Sequence, residues 1–230
     1  ALNEKNEVKA LQPTAEGYLY CMDHMLAGSE DSRFEGHNLI FQDEIFNNAI
    51  NRMKRMYNSA ISENAEYSYR DETHLFNEGK LAIYINGVWG APMISKQIDA
   101  KYALLPTDGG ESMSCISSGL GYVLGNSGNE EKEKAAVKFL KYMLSKKVQT
   151  KILEKTEQIP ANPDISLESY KESKGRLYQA ATLVLETDEK IEVPNNIWSA
   201  EQKDYFIKTI FDVLTGTLSI QEFEEGLENK

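Results

Sequence analysis

The feature that most constrains this chain is an alternation between two apolar periods. Ile45, Phe46, Ala49, Ile50, Met53, Met56 and Tyr57 recur at intervals of three and four. That spacing lays a broad apolar stripe along one helix face and leaves Arg52, Lys54 and Arg55 outside it. Leu75–Gly79 reads as a helix end closed by Gly79, after which Leu81, Ile83 and Ile85 alternate with Ala82 and Tyr84 at the period of a strand. Asn86-Gly87 then turns the chain. Tyr102–Leu105 predicts a second short strand, stopped by Pro106 and the polar loop Thr107–Ser114, and Gly121–Leu124 predicts a third.

From Glu130 a helix carries Ala135, Ala136, Phe139, Leu140, Met143 and Leu144 on one side, with acids in its first turn and lysines in its last, as the helix dipole favours. Pro160 and Pro163 bracket a loop, and Leu177–Glu186 predicts a further helix. Beyond Pro194, the set Phe206, Ile210, Val213 and Leu214 marks another helix, broken at Gly216, and Ser219 with Glu222 forms a capping box for the last one. Short strands alternating with longer helices predict an α/β fold.

With 230 residues, 41% of them hydrophobic, the chain can bury a real core. Its 36 acidic residues outnumber 25 basic ones, so a polyphosphate would be repelled over most of the surface and a nucleic-acid partner is not expected. No apolar run approaches the roughly 18–20 residues that span a bilayer, and no basic-then-apolar leader opens the sequence. Ala1–Ala10 reads as the end of a helix with no cap before its first turn, which gives the expectation of a cut chain.

Candidate chemistry is sparse. Cys21 and Cys115 can be read as a pair or as ordinary buried thiols, the second reading being favoured. Cys21 and His24 lie three apart on a helix and so can meet, yet neither they nor His37 and His74 sit in a catalytic motif. Asp23 and His24 lack a third metal ligand at suitable spacing. The glycines at 119 and 121 follow Ser117-Ser118 without completing a phosphate-cradling loop. Carboxylates are too abundant for any pair to mark a glycosidase. No catalytic residue, metal site or cofactor is therefore assigned. Trp89 is more informative: following a strand and an Asn-Gly turn, it puts a flat apolar face where α/β proteins place ligands, although a core position remains open. Indoles stack on the C–H faces of sugars while neighbouring carboxylates and amides take the hydroxyls.

The run Phe76-Asn77-Glu78-Gly79-Lys80-Leu81-Ala82-Ile83-Tyr84-Ile85-Asn86-Gly87-Val88-Trp89 resembles the family 1 extracellular solute-binding proteins, including their maltose-binding members. The family pattern is Phe, two variable residues, Gly-Lys or Gly-Glu, a small-apolar strand, then Gly-x-Trp. Tyr102–Pro106, the Ser-Gly turn into Tyr122, Lys134–Met143 followed by Ser145 and Gln149, Val193-Pro194-Asn195 and Gly216–Phe223 extend the likeness in the same order. The resemblance implies a periplasmic-binding-protein-like fold of type II. Residues 1–105 and 160–230 would form the C-terminal ligand-binding lobe, and 106–159 would be a crossover segment belonging to an N-terminal lobe mostly missing here.

It also implies a non-catalytic function: binding a carbohydrate, most naturally an oligosaccharide, in an interlobe cleft and delivering it to the permease of an ABC importer. Trp89 matches the indole that stacks on sugar, Glu16 and Tyr18 match acidic and aromatic cleft residues, and Trp198 lies in the region of the C-terminal cleft edge. The implied location is extracellular, as a lipoprotein tethered by an N-terminal anchor absent from this chain, or periplasmic. Alternatives are a glycoside-processing enzyme, a receptor for a non-sugar solute, and an adhesin or scaffold. Without N-terminal-lobe partners, the helix with Phe139 and Leu140 is expected either to fold onto the rest of the chain or to self-associate.

Overall fold

The computed structural model describes residues 10–11, 13–27, 44–60, 68–106, 113–116, 121–187 and 189–230. The expectations for 1–9, for most of the loop 107–114, for the glycine turn at 117–120 and for His37 lie outside these residues. The chain divides into two compact units, Ala1–Asn86 with Ile94–Ser117 and Thr187–Lys230, and Gly87–Met93 with Ser118–Glu186. We call these unit 1 and unit 2.

Unit 1 is built on helices α1 (Ala15–Ala27), α2 (Glu44–Ala60) and α3 (Tyr69–Asn77), joined later in the chain by two C-terminal helices. The stripe read from the sequence faces inward on α2, where Phe46, Ala49, Ile50, Met53 and Tyr57 are buried. Ser68 and Asp71 form a capping box that starts α3, and Gly79, in the left-handed region at φ 72°, ends it.

The expected strands at Leu81–Ile85 and Tyr102–Leu105 form no ladder, only isolated bridge positions at Leu81 and Pro106. Among the described residues of unit 1, the paired strands lie elsewhere. Strand β1 (Met113–Ile116) runs parallel to β2 (Glu189–Glu192), with Met113 opposite Glu189 and Ile116 opposite Glu192. Extended apolar sequence is not sufficient for a strand, because each backbone N–H and C=O needs a neighbour to bond. The fold is therefore α/β, with helices far outweighing sheet.

The C-terminal helices close the core. Of the four-residue expectation, Phe206, Ile210, Val213 and Leu214 are all buried on the helix Ala200–Thr215, which Gly216 ends at φ 83°. The last helix, Ile220–Glu228, starts at the expected Ser219–Glu222 capping box. Phe206 lies between Trp198 and Phe223, its ring tilted against both with centroids 5.7 and 5.6 Å away, and Phe46 meets Phe223 from α2.

Unit 2 contains α4 (Glu130–Met143), α5 (Lys146–Thr156) and α6 (Gly175–Glu186). Numbered onward in chain order, the C-terminal helices of unit 1 are then α7 (Ala200–Thr215) and α8 (Ile220–Glu228). Asn129 and Ser145 cap α4 and α5. Buried Gln149 fixes the junction, donating to the Met143 carbonyl and accepting from the Ala161 amide, each at 2.9 Å. Two short helices, Val88–Met93 and Leu167–Tyr170, pack against α6. The expected strand Gly121–Leu124 forms no ladder, and Val123 is 92% exposed.

Candidate functional site

The aromatic residue singled out by sequence sits on the short helix Val88–Met93, whose Gly90 and Ala91 are buried while the Trp89 side chain is 50% exposed. The turn is closed by the Gly90 amide donating to the Gly87 carbonyl at 2.9 Å. The indole folds back over Gly87: a β-carbon built there would lie 2.2 Å from Cζ3, 2.3 Å from Cη2 and 2.5 Å from Cε3 of Trp89. The spacing Gly-x-Trp thus has a steric reason, because only a residue without a side chain leaves room for the ring.

Just upstream, within unit 1, Asn86 is held by hydroxyls. Its Nδ2 donates to Tyr69 at 2.7 Å and to Tyr84, and the Tyr84 hydroxyl also meets Thr73 Oγ1 at 2.8 Å. Phe76 stacks on Tyr84 at 5.3 Å. This polar and aromatic cluster was not singled out from the sequence; its signal was the run of tyrosines and amides around the expected turn.

The other expected ligand residues are all in unit 1. Glu16 is half-buried in the first turn of α1. Tyr18 is 0% exposed, its ring edge-on to Phe211 at 5.9 Å, and burial pushes its phenol pKa far up. Trp198 is 5% exposed and packs on Phe206. Both residues were expected to face a ligand. Each ring face is already covered by core side chains, and a sugar would have to displace them.

One turn of α1 carries Cys21, Asp23 and His24. His24 donates through Nε2 to the Leu105 carbonyl, which leaves Nδ1 to accept from Cys115 Sγ at 3.7 Å. The partner is Cys115 on β1, not Cys21 on the same helix. Burial lowers the His24 pKa and pushes both thiols up to about 12. A neutral imidazole beside a protonated thiol is a packing contact, not an activated nucleophile. Cys21 and Cys115 are both free, and no cluster of three metal-ligating side chains occurs among the described residues.

Asp23 is buried and accepts from the Asn195 backbone N–H at 2.8 Å and from the Asn195 amide, tying α1 to the turn after β2. Desolvation raises its pKa to about 7, against the lowering effect of those bonds and of Lys203. Desolvation likewise raises buried Glu72, on α3, to about 8. Glu72 was not singled out in the sequence, and Asp23 was weighed there only as a metal ligand. Asp23 had a legible signal, falling four residues after Leu19 and three before Leu26 on the buried face of α1.

The family model described as bacterial extracellular solute-binding protein matches residues 12–177. The chain belongs to that family. Three solved structures resemble this solute-binding chain in fold. A Streptococcus pneumoniae solute-binding protein in complex with the blood group A-trisaccharide aligns over 99% of this chain and 60% of its own, with a TM-score of 0.79 and 23% identity. A chitin oligosaccharide binding protein aligns over 96% and 58%, with a TM-score of 0.72 and 17% identity. A structure from work on xylan utilization by the thermophilic bacterium Caldanaerobius polysaccharolyticus aligns over 95% and 61%, with a TM-score of 0.67 and 15% identity. The solute-binding chain thus spans about three-fifths of the length of these structures. No curated protein matches it by sequence.

Proposed function

We propose that this chain is part of a carbohydrate receptor that binds an oligosaccharide, releases it unchanged and delivers it to the permease of an ABC importer. The observation that carries this reading is Trp89. In a chain of the solute-binding family, a half-exposed indole stands on a short helix braced against α6. Such a face suits the C–H surface of a sugar, and burying it against a ligand gains apolar area with no charge to neutralise. Two of the fold relatives are named for sugars they bind, which favours carbohydrate over other solutes.

In this reading Glu16 takes a sugar hydroxyl, whereas Tyr18 and Trp198 hold the core of unit 1. The C-terminal lobe comprises 1–105 and 160–230, and 106–159 belongs to the N-terminal lobe. The receptor works outside the cell membrane, as a lipoprotein or in the periplasm. No helix among the described residues is long and apolar enough to cross a bilayer.

The test is a thermal-shift and calorimetric screen of the full-length gene product against chitin oligosaccharides, xylo-oligosaccharides and blood group A-trisaccharide, with reducing ends assayed over hours. The receptor reading expects stabilisation by at least one sugar and no released reducing ends. Steady hydrolysis by pure protein would show an enzyme instead, and stabilisation only by non-sugar solutes would overturn the carbohydrate class. Trp89→Ala is expected to weaken sugar binding by on the order of tenfold without unfolding the protein.

A further inference from the structure

We infer that Gly87 is a positioning residue: its bare Cα is the seat on which the Trp89 indole rests, and it fixes the plane that the ring presents. The three ring atoms nearest the missing β-carbon, Cζ3, Cη2 and Cε3, all belong to the benzo half of the indole. That half is therefore pinned against the turn, and the nitrogen-bearing edge is the far one. Non-bonded carbons settle at about 3.5–4.0 Å, so a methyl group at 2.2–2.5 Å forces the ring off by more than an ångström.

What yields is the side chain. The clashing atoms are the far end of Trp89, which can swing about its two rotatable bonds, while the turn itself is held by the bond from Gly90 to Gly87 and by packing of the short helix on α6. No left-handed backbone angle is involved at Gly87, in contrast to Gly79 and Gly216. The glycine is required for close approach alone. Substitution there re-aims the ring and leaves the fold in place.

The consequence for binding rests on the proposal that Trp89 contacts the sugar. A stacking platform works only when its plane is held within a fraction of an ångström and roughly 10–20°. The residue at 87 then sets which ligand faces fit, although it touches no ligand itself.

The experiment compares Gly87→Ala with Gly121→Ala, a glycine with open space around its Cα. Acrylamide quenching on the 230-residue chain separates the exposed indole of Trp89 from the buried one of Trp198. In Gly87→Ala the exposed population is expected to quench more readily and its emission to shift, while Gly121→Ala leaves both unchanged. In the full-length gene product, Gly87→Ala is expected to lose sugar affinity on the order of tenfold, matching Trp89→Ala.

A double-mutant cycle guards against simple misfolding. Gly87→Ala made in a Trp89→Ala background should leave the melting temperature of that variant unchanged, because the obstructing ring is gone. Unchanged quenching and emission in Gly87→Ala, or a clear fall in melting temperature that is the same with and without the ring, would overturn the seat. If instead the quenching changes but Trp89→Ala leaves sugar affinity intact, the seat stands and the ligand role of Trp89 falls.

Discussion

Unit 1 and unit 2 carry similar helices and use them differently. In unit 1 the stripes of α1, α2, α7 and α8 meet one another, and Tyr18, Met22, Phe46, Ile50, Met53, Phe206 and Ile210 lose essentially all contact with solvent. In unit 2 the fourteen residues of α4 bury none, and Phe139 remains 56% exposed. The two stripes are equally clear in the sequence. What differs is whether a facing surface is present, since an amphipathic helix draws its stability from packing rather than from propensity. Each large apolar side chain left in water forgoes roughly 1.5–3 kcal/mol. Unit 1 is therefore a core, and α4 with its neighbour Gly121–Leu124 is a face awaiting one.

The sharpest way to break that contrast is to cut a side chain from the unit 1 core. Phe206→Ala removes a ring that touches Trp198 and Phe223 and leaves a cavity among helices that cannot fully collapse. The expected loss is about 3–5 kcal/mol, read from urea unfolding of the 230-residue chain. A loss under about 1 kcal/mol would mean that unit 1 is no better packed than α4.

Titration gives the next largest effect, and it too belongs to unit 1. Asp23 at about 7 and Glu72 at about 8 bind protons more tightly when folded than in the unfolded chain, where carboxyls titrate near 4. Their contribution to stability is complete below pH ~4 and is lost as pH rises through 7 and 8. The melting temperature should consequently fall between pH 5 and pH 8.5, by the equivalent of a few kcal/mol at most. Asp23→Asn and Glu72→Gln should flatten that slope. A wild-type melting temperature that rises across this range would put both carboxyls in water.

Much of this fold was legible because helices announce themselves locally. The three-four spacing located α2, α4 and α7, a further helix was expected over α6, and Gly79, Gly216 and the Ser219–Glu222 box marked ends that the structure reproduces. Strands were not legible, since a strand depends on a neighbour distant in sequence. Gly121–Leu124 has strand composition and no ladder, whereas Glu189–Glu192, with three charged residues in four, is paired to β1. The same limit governs the site. Gly-x-Trp could be read because its cause is local, the ring lying over the glycine. The burial of Tyr18 and Trp198 could not, because it is decided by Phe211 and Phe206 on α7.

The smallest expected effect on folding is the most telling about the comparison. Val123, Leu124, Ala136, Phe139 and Leu140 line a shallow concavity of about 350 Å³ within unit 2, with Lys132 and Glu133 beside it. A contiguous apolar surface of this kind on a dissolved chain tends to find cover, and a second copy is the partner always at hand. The 230-residue chain is therefore expected to self-associate with rising concentration, measured by light scattering. Phe139→Ser should abolish that association while changing urea stability by less than about 1 kcal/mol, because the ring already spends half its surface in water. If Phe139→Ser costs as much as Phe206→Ala, the α4 face is covered in solution by the chain's own residues, and the contrast between the two units disappears. If the chain stays monomeric and Phe139→Ser remains neutral, the face is wettable, and its apolar stripe reports only the local pattern of a helix.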